Sequence, residues 1–202
     1  MDAAERTLRE TIALAAERMN AARDGLDPPA RPMLDHLVAS IRAADRGAWL
    51  EPRRRMVNRH LPGLLDAAAR RDPAFAARLA RLTDGLHWTQ TYSDGPVPDE
   101  FFENYGHAAL VGPAAPARSE QVKLGLIMMG PGQHYPDHAH PAGEFYFLLA
   151  GEPRWRIGAG AWHRRGPGAL IHHAPEEAHA TESCETGLLA LYAWYGAIHT
   201  LP

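Results

Sequence analysis

From about Trp88 onward, apolar residues come in short runs separated by glycine- and proline-rich turns. Five runs stand out for their β-branched and aromatic content: QVKLGLIMM, EFYFLLAG, RWRIGAG, GALIHHA and LLALYAWYG. Runs of this length, bounded by turn residues, are typical of antiparallel strands rather than helices. Because closely spaced short strands favour a sandwich or barrel, this part of the chain is expected to be mainly β.

The first third of the chain has the spacing of amphipathic helices. A first stripe consists of Leu8, Ile12, Ala15 and Met19, and a second follows Pro32 with Leu34, Leu37, Val38 and Ile41. A third helix is predicted through RRRMVNRH and is kinked or broken at LPG. Asp72 as N-cap and Pro73 in the first turn predict the start of a fourth.

These patterns predict two parts. Residues 1–90 form a helical segment that packs on a barrel, and residues 91–202 form the barrel. Residues 91–120 show no sustained periodicity, so we expect an irregular covering segment or a mobile lid there.

The charge and composition exclude some function classes. The net charge is -3, and neither half is basic enough to favour nucleic acid as a partner. The only cysteine, Cys184, excludes an intrachain disulfide. A charged N-terminus and the lack of an apolar run of about 20 residues predict a cytoplasmic protein with no membrane partner.

Histidines concentrate in the predicted barrel, where seven of the 12 lie between His134 and His179. In HAHPAGEFY, His138 and His140 are two apart and should face the same side of a strand. Glu144 follows a Pro-Ala-Gly bend, and Tyr146 shares its face. Imidazoles and a carboxylate suit one divalent transition metal ion: Zn, Fe, Mn, Co or Ni.

A further ligand must come from a distant strand. His179 is the best candidate, because it follows a proline-marked turn and begins a new strand. His172 and His173 are adjacent and point to opposite faces, so at most one of them can join the site. No role is assigned to His163.

The spacing of these residues resembles the motifs of the cupin superfamily. The first motif reads Gly132-x5-His138-x-His140-x3-Glu144-x6-Gly151. The second is looser, with Gly160-x5-Gly166-Pro167-Gly168 followed by His179. This resemblance implies a jelly-roll barrel, or double-stranded β-helix, with the helical segment attached.

A finer resemblance is to the cupin-type dimethylsulfoniopropionate (DMSP) lyases of the DddQ type. It is carried by YPDHAHPAGEFYFLLAGEPRWRIG, PEEAHA and LLALYAWYG. The family pattern tends to have a second acidic residue at the position of Gly143, so a looser bend or wider pocket is expected here.

The resemblance implies a metal-dependent β-elimination that splits DMSP into dimethyl sulfide and acrylate. His140, Glu144 and His179 would hold the metal, with His138 directed toward it. Tyr146 would sit at the metal and act as the base, and His138 and Tyr135 would lie beside the substrate.

Aromatic faces are needed to hold the cationic sulfonium group. The candidates are Trp155, Trp162, Tyr192 and Trp194. Tyr192 and Trp194 share one face of their strand, whereas Trp155 and Trp162 flank a predicted hairpin and fit the core or barrel rim equally well.

Two other functions stay open. One is a cupin enzyme that acts on another small carboxylate or a sugar, by isomerisation or dioxygen chemistry. The other is a non-catalytic sensor or storage protein, although the N-terminal helices lack a clear basic recognition helix. Cupins often pair through barrel edges or helical arms, so a homodimer is the expected assembly.

Overall fold

The computed structural model describes residues 2–91 and 98–199. Its α-helices span Ala3–Ala21 (α1), Arg31–Arg42 (α2), Leu61–Ala69 (α3), Pro73–Thr83 (α4) and Asp99–Glu103 (α5). Short 3-10 turns cover Arg23–Gly25, Pro28–Ala30 and Met56–His60. None of the helices in the described ranges has the length and apolar character needed to cross a membrane.

Aspartates cap two of these helices, and one of them, Asp72, is predicted by the sequence. The Asp2 carboxylate accepts a hydrogen bond from the Glu5 backbone N–H at 2.8 Å. The Asp72 carboxylate accepts one from the Phe75 N–H at 3.0 Å. Each carboxylate satisfies an N–H group that has no partner within its helix, which confirms the predicted start of α4.

The predicted position of the third helix is wrong. Residues 53–55 lie outside any helix, a single 3-10 turn follows, and α3 begins at Leu61. Pro62 therefore starts the helix instead of breaking it. The physical reason is that proline lacks an N–H group and has a fixed φ, both of which suit the first helical turn.

The strands form two sheets. In chain order they are Asp45–Arg46 (β1), Tyr105–Gly112 (β2), Ala117–Arg118 (β3), Val122–Met129 (β4), His134–His138 (β5), Ala142–Ala150 (β6), Arg154–Ile157 (β7), His163–Arg164 (β8), Leu170–His173 (β9), His179–Glu182 (β10) and Leu188–Gly196 (β11). The large sheet has the order β1-β3-β2-β4-β11-β6-β9, and the small sheet β5-β10-β7-β8. The strands predicted from the five apolar runs and the mainly β jelly-roll class are confirmed.

The expectation of irregular structure is wrong for part of residues 91–120. Helix α5 and strand β2 lie there, and β2 pairs antiparallel with β4 from Tyr105 to Val111. Small residues in YGHAALVG conceal the alternation that marks a strand. The predicted lid falls partly on residues 92–97, which lie outside the described residues.

Alternation along β6 separates two apolar cores. Phe145, Phe147 and Leu149 pack among the helices, whereas Tyr146 and Leu148 face the barrel interior. Helices α2 and α3 contact the outer face of the large sheet, and α1 packs on α2 and α4. One face of the sheet therefore anchors the helices and leaves the other face to line the barrel.

We expect Asp72→Ala to lower the free energy of unfolding by about 1–2 kcal/mol, because it removes the cap of α4. It also removes an ion pair in which Arg18 Nε lies 2.6 Å from Asp72 Oδ2. Urea unfolding measures the change. Asp66→Ala, at an exposed position on α3, is the control and should change stability by less than about 0.5 kcal/mol.

The effect of Asp72 should depend on pH. Burial raises the pKa of this carboxyl, but hydrogen bonds from Arg18 and the Phe75 N–H lower it more, so the net pKa is below its usual value. The stabilisation is therefore present above the ordinary pKa of about 4 and is lost as the pH falls further. A constant difference between wild type and variant down to about pH 2 would contradict this account.

Candidate metal centre and pocket

A row of inward-facing residues crosses the large sheet at the level of Glu144. On β11 the Cα partner of Glu144 is Trp194, whose own partner on β4 is Lys123. On β9 the partner of Glu144 is His173. The Trp194 indole N–H donates to Glu144 Oε1 at 2.6 Å. Strand register therefore surrounds the carboxylate with residues that are distant in sequence.

Three buried side chains offer a set of metal ligands. Oε2 of Glu144 lies 3.0 Å from His140 Nε2 and 3.5 Å from His179 Nε2. One ligand atom from each of the three residues lies within 4.8 Å of the others. The structure thus brings together the ligands that the sequence predicts.

The outer nitrogens of both imidazoles are fixed by the backbone. His140 Nδ1 donates to the Ala142 carbonyl at 2.9 Å, and His179 Nδ1 donates to the Glu177 carbonyl at 2.9 Å. The Nε2 atoms are left to face Glu144, and His179 Nε2 is buried without a hydrogen-bond partner among the described residues. Oriented imidazoles of this kind fit a divalent metal ion.

The carboxylate of Glu144 is held in its ionised form. Burial raises its pKa, but the hydrogen bond from His140 and the nearby imidazoles of His173 and His179 outweigh this effect and hold the pKa well below its usual range. The centre therefore presents one negative charge and two imidazole nitrogens to a cation.

His138 lies beside this set rather than within it. Its ring stacks on Tyr135 at a centroid distance of 4.0 Å and contacts the His179 ring at 4.1 Å. Burial lowers the pKa of His138 to about 4, so the imidazole is neutral at pH 7. His138 and Tyr135 form one stacked pair next to the ligands.

Tyr146 is buried two residues beyond Glu144 on the same face of β6. Its ring centroid lies 6.4 Å from that of His179 and 4.8 Å from that of Trp155. Tyr192 is its Cα partner on β11. The predicted base and the predicted ligands thus border the same space.

A cavity of about 240 Å³ opens onto these residues. Its described lining includes Tyr135, His138, His140, Glu144, Tyr146, Tyr192 and Trp194 from the sequence predictions. It also includes His107 and Lys123, which the sequence motifs did not indicate. Burial lowers the pKa of His107 to about 4, and the charge of Lys123 adds to this effect.

Trp155 and Trp162, which were predicted as aromatic contacts, are not part of the described lining of this cavity. Trp162 instead contacts two guanidinium groups, with Arg154 and Arg156 lying 5.3 and 4.9 Å from its ring centroid. Trp155 is buried behind the site, where its indole N–H donates to His173 Nε2 at 2.9 Å. The β7–β8 hairpin is present, and its geometry directs the two indoles to different surroundings. His163 on β8 is exposed.

The adjacent histidines of β9 do point to opposite faces. His172 Nε2 lies 2.8 Å from the Tyr195 hydroxyl on the helical side of the sheet. His173 is fully buried, and its ring stacks on His179 at 3.8 Å. Because Nε2 of His173 accepts from Trp155, its proton is on Nδ1, which lies 3.9 Å from Glu144 Oε2. His173 therefore faces the carboxylate of the centre without a hydrogen bond to it.

The space at Gly143 is occupied by a side chain on the helical side of the sheet. A Cβ atom at this position would clash with the ring of Tyr195. The expectation of a wider pocket is therefore wrong, because Tyr195 packs across the glycine on the face opposite the cavity.

We expect Glu144→Gln to weaken divalent metal binding by at least about a hundredfold, because it removes the only charge of the ligand set while keeping its shape. Equilibrium dialysis with Zn²⁺ or Mn²⁺, followed by elemental analysis, measures the bound metal. Glu152→Gln, at an exposed position, is the control. Equal metal content in the Glu144 variant and wild type would reject this site.

We expect His173→Leu to weaken metal binding about ten- to hundredfold, because it removes the Nδ1–H dipole that faces the Glu144 carboxylate. His173→Asn places an amide N–H near the Nδ1 position and should lose less affinity. Competition with a chelator gives both values. If both variants lost the same amount of metal affinity, His173 would act through packing and not through its N–H group.

Comparison with known proteins adds the family. A family model for dimethylsulfoniopropionate lyase matches residues 29–190. The lyase DddQ of Ruegeria pomeroyi is 32% identical over 115 residues, which cover 57% of this chain and 57% of that protein. A putative DMSP lyase, DddL of Cereibacter sphaeroides, is 29% identical over 193 residues, or 94% of this chain and 70% of that protein. The match to DddQ thus spans little more than half of its length.

Solved structures agree over nearly the whole chain. The crystal structure of DddQ from Ruegeria pomeroyi superposes with a TM-score of 0.73 at 28% identity, covering 99% of this chain and 95% of that one. A structure from a study of the DMSP lyases RdDddP and RnDddQII gives 0.74 at 21% identity, with coverage of 96% and 94%, and supports the fold. The family match, the shared fold and the buried histidine–glutamate centre lead to one conclusion: the chain belongs to the dimethylsulfoniopropionate lyase family.

Proposed function

We propose that the protein is a metal-dependent DMSP lyase that forms dimethyl sulfide and acrylate. The observation that carries the proposal is that Tyr146 lines the same cavity as His140 and Glu144, which form a buried set of possible metal ligands with His179. Such a cavity combines a place for a cation with a group able to take a proton. Family membership supports DMSP as the substrate.

The His140, Glu144 and His179 side chains would hold one divalent transition metal ion. When bound, that ion supplies a Lewis acid that stabilises negative charge developing next to the substrate carboxylate. Both imidazoles are already oriented by backbone carbonyls. Little reorganisation of these ligands is therefore needed for binding.

Tyr146 would act as the base. A phenol has a reference pKa of about 10, and positive charge nearby lowers it and makes the phenolate available. The phenolate oxygen takes the proton from the carbon next to the carboxylate. The electron pair of that C–H bond forms the C=C bond of acrylate, while the C–S bond breaks and its pair leaves with sulfur as neutral dimethyl sulfide.

The remaining aromatic residues would position the substrate. Tyr135 and His138 form a stacked pair that lines the cavity, and Tyr192 lies beside Tyr146 on the neighbouring strand β11. Aromatic faces attract cations such as a sulfonium group. Because the sulfur departs neutral, the leaving group needs no acid catalyst.

The test is headspace dimethyl sulfide from purified protein, loaded with Zn, Mn or Fe in parallel and given millimolar DMSP. Tyr146→Phe should keep its metal and lose activity by about 10²- to 10⁴-fold, because the base is gone. Tyr195→Phe is the control, since Tyr195 lies on the other face of the sheet and bonds to His172.

Absence of dimethyl sulfide from folded, metal-bound protein with every metal would reject the lyase and favour a cupin with another substrate. Full activity in Tyr146→Phe would leave the lyase in place but remove Tyr146 as its base. Oxygen uptake that requires iron would instead indicate a dioxygenase.

A further inference from the structure

The chain contains a single lysine. Of its 21 basic residues, 20 are arginine, and the exception is Lys123. Lys123 lies on β4 and lines the candidate active-site cavity. Arginine and lysine differ physically, because an ammonium group is compact and strongly hydrated whereas a guanidinium group is planar and always charged.

The ammonium group of Lys123 is half-buried over an aromatic ring. Its Nζ lies 4.7 Å from the ring centroid of Trp194, its cross-strand partner. Within residues 2–91 and 98–199 it makes no hydrogen bond or ion pair. Burial lowers its pKa. This cation is partly removed from water and has no anionic partner. An anion that binds beside it therefore stabilises its charge.

The described lining of the cavity supplies no free carboxylate to pair with Lys123. Glu144 is its only carboxylate there, and both oxygens of Glu144 are already engaged, Oε1 by the Trp194 indole and Oε2 by His140. Trp194 stands between Glu144 and Lys123 in the strand register. The charge of Lys123 is therefore available to a ligand.

We propose that Lys123 forms a carboxylate-binding subsite of this cavity and sets the direction in which a small substrate carboxylate enters. This inference rests on the proposed function for the identity of the substrate. A carboxylate has two oxygens and about four lone-pair sites, so contact with Lys123 leaves an oxygen for a second cation. The anionic end of the substrate lies toward β4 and β11.

The cationic end of the substrate is directed elsewhere. One face of Trp194 carries the Lys123 ammonium, and the His140 ring lies 4.5 Å from the Trp194 centroid. A sulfonium group at Trp194 would meet the like charge of Lys123 at short range. Of the cavity residues predicted to contact the substrate, Tyr192 and the stacked pair of Tyr135 and His138 offer aromatic faces for it. Under this proposal Trp194 would not be the residue that holds the sulfonium group.

Because Lys123 is the only lysine, the rate at which an amine reagent modifies a lysine side chain reports on Lys123 alone. Full-length protein is acetylated with and without propionate, and mass spectrometry follows Lys123 and the N-terminal amine separately. Propionate should slow modification of Lys123 severalfold and leave the N-terminal amine unchanged, whereas neutral propionamide should protect neither. Equal protection by the two compounds, or none by propionate, would overturn the subsite.

Calorimetric titration with propionate, on metal-free and metal-loaded protein, provides the second measurement. Lys123→Met should weaken propionate binding about ten- to hundredfold in both forms, and Lys123→Arg should restore most of it. Arg118→Met removes an exposed charge from the same sheet and is the control. Unchanged binding by Lys123→Met would overturn the subsite, and the labelling result on wild-type protein still decides it if that variant does not fold.

The same experiments separate this inference from the lyase itself. Propionate binding that depends on Lys123, in a protein that releases no dimethyl sulfide, would support the subsite and reject the lyase. Release of dimethyl sulfide by Lys123→Met with an unchanged KM would support the lyase and overturn the subsite.

Discussion

The buried charge of Glu144 is the interaction on which the rest of the site depends. An ionised carboxylate inside a protein is strongly destabilising unless partners surround it. Here His140 and His179 approach one oxygen, and the Trp194 indole donates to the other. His173, held by Trp155, faces the same carboxylate from β9. The arrangement that makes this charge tolerable also prepares it for a metal ion.

The alternation of β-strands makes one sheet serve two purposes. Residues of one parity on β6 and β11 pack against the helices, and residues of the other parity line the barrel. Gly143 shows how closely the two sides are linked, since Tyr195 covers it on the helical side while the neighbouring Glu144 points inward. In the described part of the chain, helices α1 to α4 therefore support the sheet and contribute no residue to the lining of the cavity.

The cavity carries a negative and a positive group at separate positions, so its electrostatic potential differs from one end to the other. The carboxylate of Glu144 and the ammonium of Lys123 lie in one row of the sheet with Trp194 between them. A substrate that carries both a carboxylate and a cationic sulfur meets different surroundings at its two ends. This asymmetry follows from strand register, because β4 and β6 both pair with β11 and not with each other.

The sequence by itself determined the parts of the site that are local. His138, His140, Glu144 and Tyr146 lie within nine residues, so their spacing along strands indicated a common face, and His179 was marked by the turn that begins β10. The apolar runs likewise predicted five strands. Only the tertiary structure decided which distant residues meet them. Lys123, His107 and His173 reach the cavity or its carboxylate through the pairing of strands far apart in the chain, and Trp162 was placed away from it. Register across a sheet depends on long-range packing, which local spacing does not specify.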